Sequence, residues 1–134
     1  MRWLLVMLLF GCHHDKSPAD DPEIQIAKRD WKAESDMLAA GERAPDCPNA
    51  AAAMRQVLVT HRNDFLAAQK QLENPETIEK VTNYMTAYPA DFPDLDERWQ
   101  AMLDRCKDDH AVMAVITEKD HVNPGPPEPL APPH

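Results

Sequence analysis

The chain has 134 residues, with 23 acidic against 14 basic side chains, a formal net charge of −9, thirteen prolines, three glycines and three cysteines. That length holds one domain at most, since a domain usually takes roughly 100 to 200 residues. The acidic balance excludes nucleic acid and anionic headgroups, which need clustered Lys and Arg to displace counterions. Neither GxGxxG nor GxxxxGK(S/T) occurs, which excludes the common phosphate-cradling loops.

Residues 1–10 read MRWLLVMLLF: a positive charge at Arg2, then an apolar run, followed by Gly11 and Cys12. The run is shorter than the about 20 apolar residues that a membrane-spanning helix needs, so it reads as a targeting segment. Leu9-Phe10-Gly11-Cys12 resembles the lipobox of bacterial lipoproteins, with Leu9 and Gly11 the expected types and Phe10 a less usual one. The resemblance implies removal of 1–11 as a signal peptide and acylation of Cys12. Residues 12–20 would then be a polar tether, and a lipid bilayer the first partner of the mature chain. It also implies a place in the bacterial cell envelope, on the periplasmic side. His13 rather than Asp after the acylated cysteine favours the outer membrane in the best-known sorting rule. Such a compartment permits disulfides, and two cysteines remain.

Asp20 or Asp21, then Pro22 and Glu23, is a helix start: a capping carboxylate, proline at the first helical position and an acid near the positive end of the dipole. Ile24, Ala27, Trp31 and Leu38 fall at helical spacing, and Gly41 is a stop signal, which predicts a helix over 22–40. A second helix opens at Pro48 and runs to about Glu73. Its positions Cys47, Ala51, Met54, Leu58, His61, Phe65, Ala68 and Leu72 alternate steps of four and three, the pattern of a buried seam. Asn74-Pro75-Glu76 starts a new arm. There Ile78, Val81, Met85, Tyr88, Phe92, Leu95, Trp99, Met102 and Cys106 keep the same alternation through Pro89 and Pro93. Those prolines break helical hydrogen bonds. The unshifted phase fits a kinked continuation; two separate helices in phase by chance is the alternative.

Cys47 lies 27 residues before Asn74 and Cys106 lies 32 after it. At about 1.5 Å per residue, two antiparallel arms bring the cysteines to within a turn or two of one height. A reversal at Pro89 would leave them tens of ångströms apart, beyond the ~7 Å Cα limit for a bridge. The expectation is an all-α fold, a three- to four-helix bundle. It consists of a long antiparallel hairpin with a kinked second arm, stapled by a Cys47–Cys106 disulfide, with the N-terminal helix packed along it. The helical domain spans 21–120, with the last helix running unbroken from Cys106 past His110, Met113 and Ile116 to Lys119. Residues 121–134 carry six prolines from 124 onward and should form an extended, solvated tail.

Chemistry has few candidates. Cys106 and His110 are four apart on one helix face, and with Cys47 they would offer Zn²⁺ three ligands, one short of a structural site. Bonded to each other, the sulfurs leave only a helix histidine. His110 or His61 with Met37 loosely resembles the haem ligands of four-helix cytochromes of the b562 type, while the covalent CxxCH motif is missing. His61 lies on the seam, where a histidine satisfied by the backbone is commoner than a ligand. Asp91, Asp94, Asp96, Asp104, Asp108 and Asp109 lie off the apolar stripe and read as a solvated face. Ser17 and Ser35 lack a nucleophile's setting. The mature part resembles small helical lipoproteins with one cysteine pair. The sequence therefore points to a non-enzymatic, cofactor-free module that binds another macromolecule of the envelope, with a haem- or metal-binding bundle as the alternative.

Overall fold

The computed structural model describes residues 17–121, so the lipobox segment with Cys12 and the proline-rich tail from 122 onward lie outside the described residues. The described chain is all-helical, with no strand. Six α-helices follow one another: α1 Pro22–Arg43, α2 Cys47–Thr60, α3 Arg62–Gln71, α4 Pro75–Ala87, α5 Asp96–Cys106 and α6 His110–Asp120. Short 3-10 turns occupy Pro18–Asp20 and Pro89–Asp91.

Four of the helices begin on a polar side chain that accepts a hydrogen bond from a first-turn amide. Asp21 accepts from the Glu23 amide at 2.9 Å, Asp46 from Asn49 at 2.9 Å, Asn74 from Glu76 at 3.0 Å and Asp109 from Val112 at 2.9 Å. Proline follows the cap in α1 and α4 and is the second residue of α2. The starts expected at Asp21-Pro22 and Asn74-Pro75 are found. Removing one such cap typically costs about 1 kcal/mol.

The stop expected at Gly41 is not. α1 runs on to Arg43 and ends where Pro45 forces Ala44 into extended backbone. Gly41 serves close packing instead: a Cβ there would lie 2.7 Å from Met54 Sδ and 2.8 Å from Met102 Cε. Gly41→Val should destabilise the fold by about 2 kcal/mol through overpacking, read as a lower urea midpoint; an unchanged midpoint would show that the two methionines yield freely.

α1 is the centre of the fold, packed against α2, α3, α4 and α5. The sequence predicts it packed along a hairpin, without giving it this central place. Its buried residues Ile24, Ala33, Met37, Leu38 and Gly41 spread round more than one face, as a helix surrounded by others requires. Along α1, contacts from α2 and α3 descend: Met54 meets Gly41, Asp64 lies 3.5 Å from the Arg29 guanidinium, and Gln71 donates to the Glu23 carbonyl at 3.1 Å. Contacts from α4 onward ascend. Lys80 reaches Asp21 and Glu23, Trp31 Nε1 donates to the Pro93 carbonyl at 2.9 Å, Arg98 pairs with Glu42, and Arg105 donates to the Ala44 carbonyl at 2.7 Å. The last contact places a cation on the carbonyl end of α1, where the helix dipole favours it.

Three expected features differ. The helix predicted over 48–73 breaks at His61, whose φ of −103° and ψ of 17° are not helical. No proline or glycine marks the break, but Thr60 Oγ1 donates back to the Gln56 carbonyl at 2.9 Å, a bond that competes with the helix ladder. The helix expected to run unbroken past Cys106 stops there. The chain turns through Lys107–Asp109, Asp109 caps α6, and α6 packs on α2, with Arg55 2.7 Å from Glu118. Asp108 and Asp109 are poor helix-interior residues and good caps. In α4 the inward residues are Thr77, Tyr84 and, in part, Val81, whereas Ile78 and Tyr88 are exposed. The face has turned by about one residue from the predicted stripe.

The core has two parts. The larger holds Ala33, Met37, Leu38, Ala50, Met54, Leu58, Phe65, Met102, Cys106, Val112 and Val115. The smaller gathers Ile24, Tyr84 and Phe92 near the start of α1, with Trp31 shared between them.

Candidate functional site

Cys47 and Cys106 are joined: the sulfurs are 2.08 Å apart and the Cα atoms 5.6 Å. Cys106 is buried in the main core, while Cys47, at the first turn of α2, is half-buried. With the sulfurs bonded to one another, the Zn²⁺ reading loses two of its three donors. His110 opens α6 and is exposed. His61 sits at the α2–α3 break with Nδ1 3.1 Å from Asp64 Oδ2, and Met37 is fully buried in the core. The fourteen residues of α2 separate His61 from the disulfide beside His110, a distance of about 20 Å at the helical rise. His61 and His110 therefore do not share one site. Among the described residues no three His, Cys, Asp or Glu side chains are placed to hold a metal ion.

What the structure does assemble is a cleft. α1 contributes Ala27, Asp30 and Trp31; α3 contributes Ala68 and Gln71; α4 contributes Thr77, Ile78, Val81, Thr82 and Met85; Phe92 closes it. Its volume is about 230 Å³ and its lining is mostly apolar. A second hollow of about 180 Å³ continues along α1 between α3 and α6, past Glu34, Phe65, Lys119 and Asp120. Asp30, Ala68 and Leu72 line both. Leu72, 67% exposed, and Ile78, 40% exposed, stand at the rim. The cleft exists because Ala27 and Ala68 are small and α4 turns Thr77 and Val81 rather than Ile78 inward.

Asp30 is the chemical feature of this groove. Its carboxyl is pushed up to about 6, first by burial, then by the neighbouring Glu34 charge, with Lys119 acting in the opposite sense and Asp64 adding to the rise. None of the described residues donates a hydrogen bond to it or pairs with it. Lys119, the nearby cation, is engaged elsewhere, 3.4 Å from Glu34, 3.1 Å from Asp120 and over the Trp99 ring at 5.4 Å. Trp99 Nε1 in turn donates to Glu34 at 2.8 Å. An unpaired carboxylate on an apolar wall is costly, and such groups gather where proteins bind or react.

A different carboxylate is fully served. Asp91 accepts from the Tyr84 hydroxyl at 2.6 Å and lies 3.2 Å from Lys28 Nζ, and the two together hold its carboxyl below the usual range. Asp91, read from sequence as part of a solvated face, is exposed and also ties the Pro89–Asp91 turn to α1 and α4. Tyr84→Phe should lower the denaturant midpoint, because it removes one charge-assisted hydrogen bond; a midpoint that did not move would count against the tie.

Sequence reasoning missed Asp30. Ala27, Asp30 and Glu34 share one face of α1 at steps of three and four, a signal open to view, but nothing local distinguishes that face from a solvated one. No protein-family model, curated protein or solved structure matches this chain. Among the described residues no helix is long and apolar enough to cross a membrane.

Proposed function

We propose that this chain is a non-enzymatic binding module of the bacterial cell envelope, tethered to the bilayer through acylated Cys12, and that it meets a macromolecular partner at the groove on α1. The arms on either side of Asn74 act in this reading as a bent hairpin folded round α1 and locked at its far end by the disulfide. The observation that carries the reading is the groove itself: an apolar cleft with two large aliphatic side chains at its rim and one unpaired carboxyl on its wall. Surfaces of that kind mark interaction sites. Acyl chains bury about 0.8 kcal/mol per CH₂, so two or three hold a protein on a membrane in effect permanently.

Two measurements test it. The intact mass of protein from the membrane fraction should correspond to a chain that begins at acylated Cys12; a chain that retains Met1 and carries no lipid overturns the anchor. A photo-crosslinker at Ile78, in native membranes, should give a discrete adduct with a partner protein. The same group at Val59, more solvent-facing at 67% exposure but outside the groove, should not. Equal or absent adducts at the two positions overturn the groove as the meeting place.

A further inference from the structure

We infer that the partner seats an ammonium group on an apolar stem, a lysine-type side chain flanked by aliphatic residues, in the α1–α3–α4 cleft, with its charge against Asp30. The inference rests on the binding reading above and names the chemistry that the groove selects.

Three features combine. The cleft is lined by Ala27, Val81, Met85 and the rings of Trp31 and Phe92, a surface that takes methylene groups. Its only charged wall is Asp30, which lacks a partner among the described residues. Trp31 and Phe92, edge to face at 5.7 Å, line the same cleft as Asp30, and aromatic faces attract cations. An anion entering here would meet Asp30 and, in the adjoining hollow, Glu34 and Asp120, which already hold Lys119. A neutral chain would fill the volume and leave the carboxylate unpaired.

The choice of a protein partner over a free amine follows from the rim. A small amine that filled about 230 Å³ would leave Leu72 standing in solvent. A segment that continues into the second hollow covers it, since Leu72 lines both. Lys119 does not fill the role from within, being held by Glu34 and Asp120.

The charge preference should follow the ionisation of Asp30. The groups that face it are Glu34 on its own helix, Asp64 on α3, and Lys119 with Asp120 on α6, while α4 presents only Thr77 and Thr82 as polar neighbours. Binding of an ammonium should therefore weaken as the pH falls through about 6 and Asp30 takes up its proton.

The test uses n-hexylammonium as a stand-in for the lysine stem and head, with 1-hexanol and hexanoate as controls. Each is titrated into the full chain at low salt and followed by amide chemical shifts at Ala27, Ile78 and Val81. Hexylammonium should bind about tenfold more tightly than hexanol, and hexanoate more weakly than either. In Asp30→Asn the first ratio should fall to about one while hexanol binding is kept, which shows that the cleft is still formed. Equal binding of hexylammonium and hexanol, a preference that survives in Asp30→Asn, or no shift at these residues with any probe overturns the inference. An Ile78 adduct together with equal binding would leave the groove as a meeting place and remove only its charge selection. Charge-selective binding without an adduct would do the reverse and remove the macromolecular partner.

Discussion

Reduction of the Cys47–Cys106 bridge should lower the unfolding free energy by about 4 kcal/mol, the loop-closure value for cysteines 59 residues apart. The effect acts chiefly on the unfolded chain, which regains the freedom that the cross-link had removed. It is large here because a folded domain of about a hundred residues has only 5–15 kcal/mol in total. Packing adds to it: Cys106 is 2% exposed among core neighbours, so a serine in its place would also bury a hydroxyl. Paired alanines at 47 and 106 separate the two contributions, since they remove the cross-link without adding a polar atom. Urea titrations of oxidised and reduced protein, and of the paired-alanine variant, are the check. A midpoint that stays put on reduction would mean that the bridge contributes nothing to the fold.

The second large effect has the opposite sign. Asp30→Asn should stabilise the protein at pH 7. A carboxyl raised from 3.8 to about 6 binds its proton more tightly in the folded than in the unfolded chain. Its ionisation therefore costs the fold up to ~3 kcal/mol above pH 6, by the conversion of about 1.4 kcal/mol per pH unit. Residual exposure trims this, and a gain of about 2 kcal/mol is expected. The cost is fully present above the folded value, declines between about 6 and 3.8, and is absent below the unfolded value. The difference between wild type and variant should follow that course. The comparison matters because Asp21 and Asp91 behave in the opposite way. Asp21 is lowered first by the Glu23 amide, Asp91 first by the Tyr84 hydroxyl, and both lend stability that is lost as the pH falls. A variant no more stable than wild type at pH 7, or a difference independent of pH, would show that Asp30 is not strained. A carboxylate that weakens the fold yet faces a cleft is the kind of trade-off expected under the binding role proposed above.

Much of the helical plan was legible because caps are local. Asp21-Pro22 and Asn74-Pro75 announce themselves through side chains that satisfy the amides beside them. The cysteine pair was legible once Cys12 was set aside as the expected acylation site and the arms on either side of Asn74 were counted, as a statement about where two sulfurs could meet. What escaped depends on contacts between distant residues. Gly41 reads as a stop in isolation and is a seat for Met54 and Met102 once α2 and α5 have packed. The break at His61 has no breaker, only a threonine hydroxyl turned back on its own helix. The turn after Cys106 was written in Asp108-Asp109, but the apolar spacing continues through it and masked the cap. α4 shows the limit of periodicity: a one-residue rotation exposes Ile78 and buries Thr77, and only its neighbours decide it. Asp30 was invisible for the same reason, since a carboxyl among carboxyls gives no sign of which one the fold will enclose.

α1 also sets a distance. Its 22 residues span about 33 Å, and the bridge sits beside its last turn while Ala27 to Trp31 lie in its first half. Groove and bridge therefore stand apart along the helix, one among its first turns and the other at its end, with about 18 Å of helix between Trp31 and Arg43. With Cys106 enclosed in the core and Cys47 half-buried, a reductant has access to the bridge only from the Cys47 side, at the opposite end of α1 from the groove.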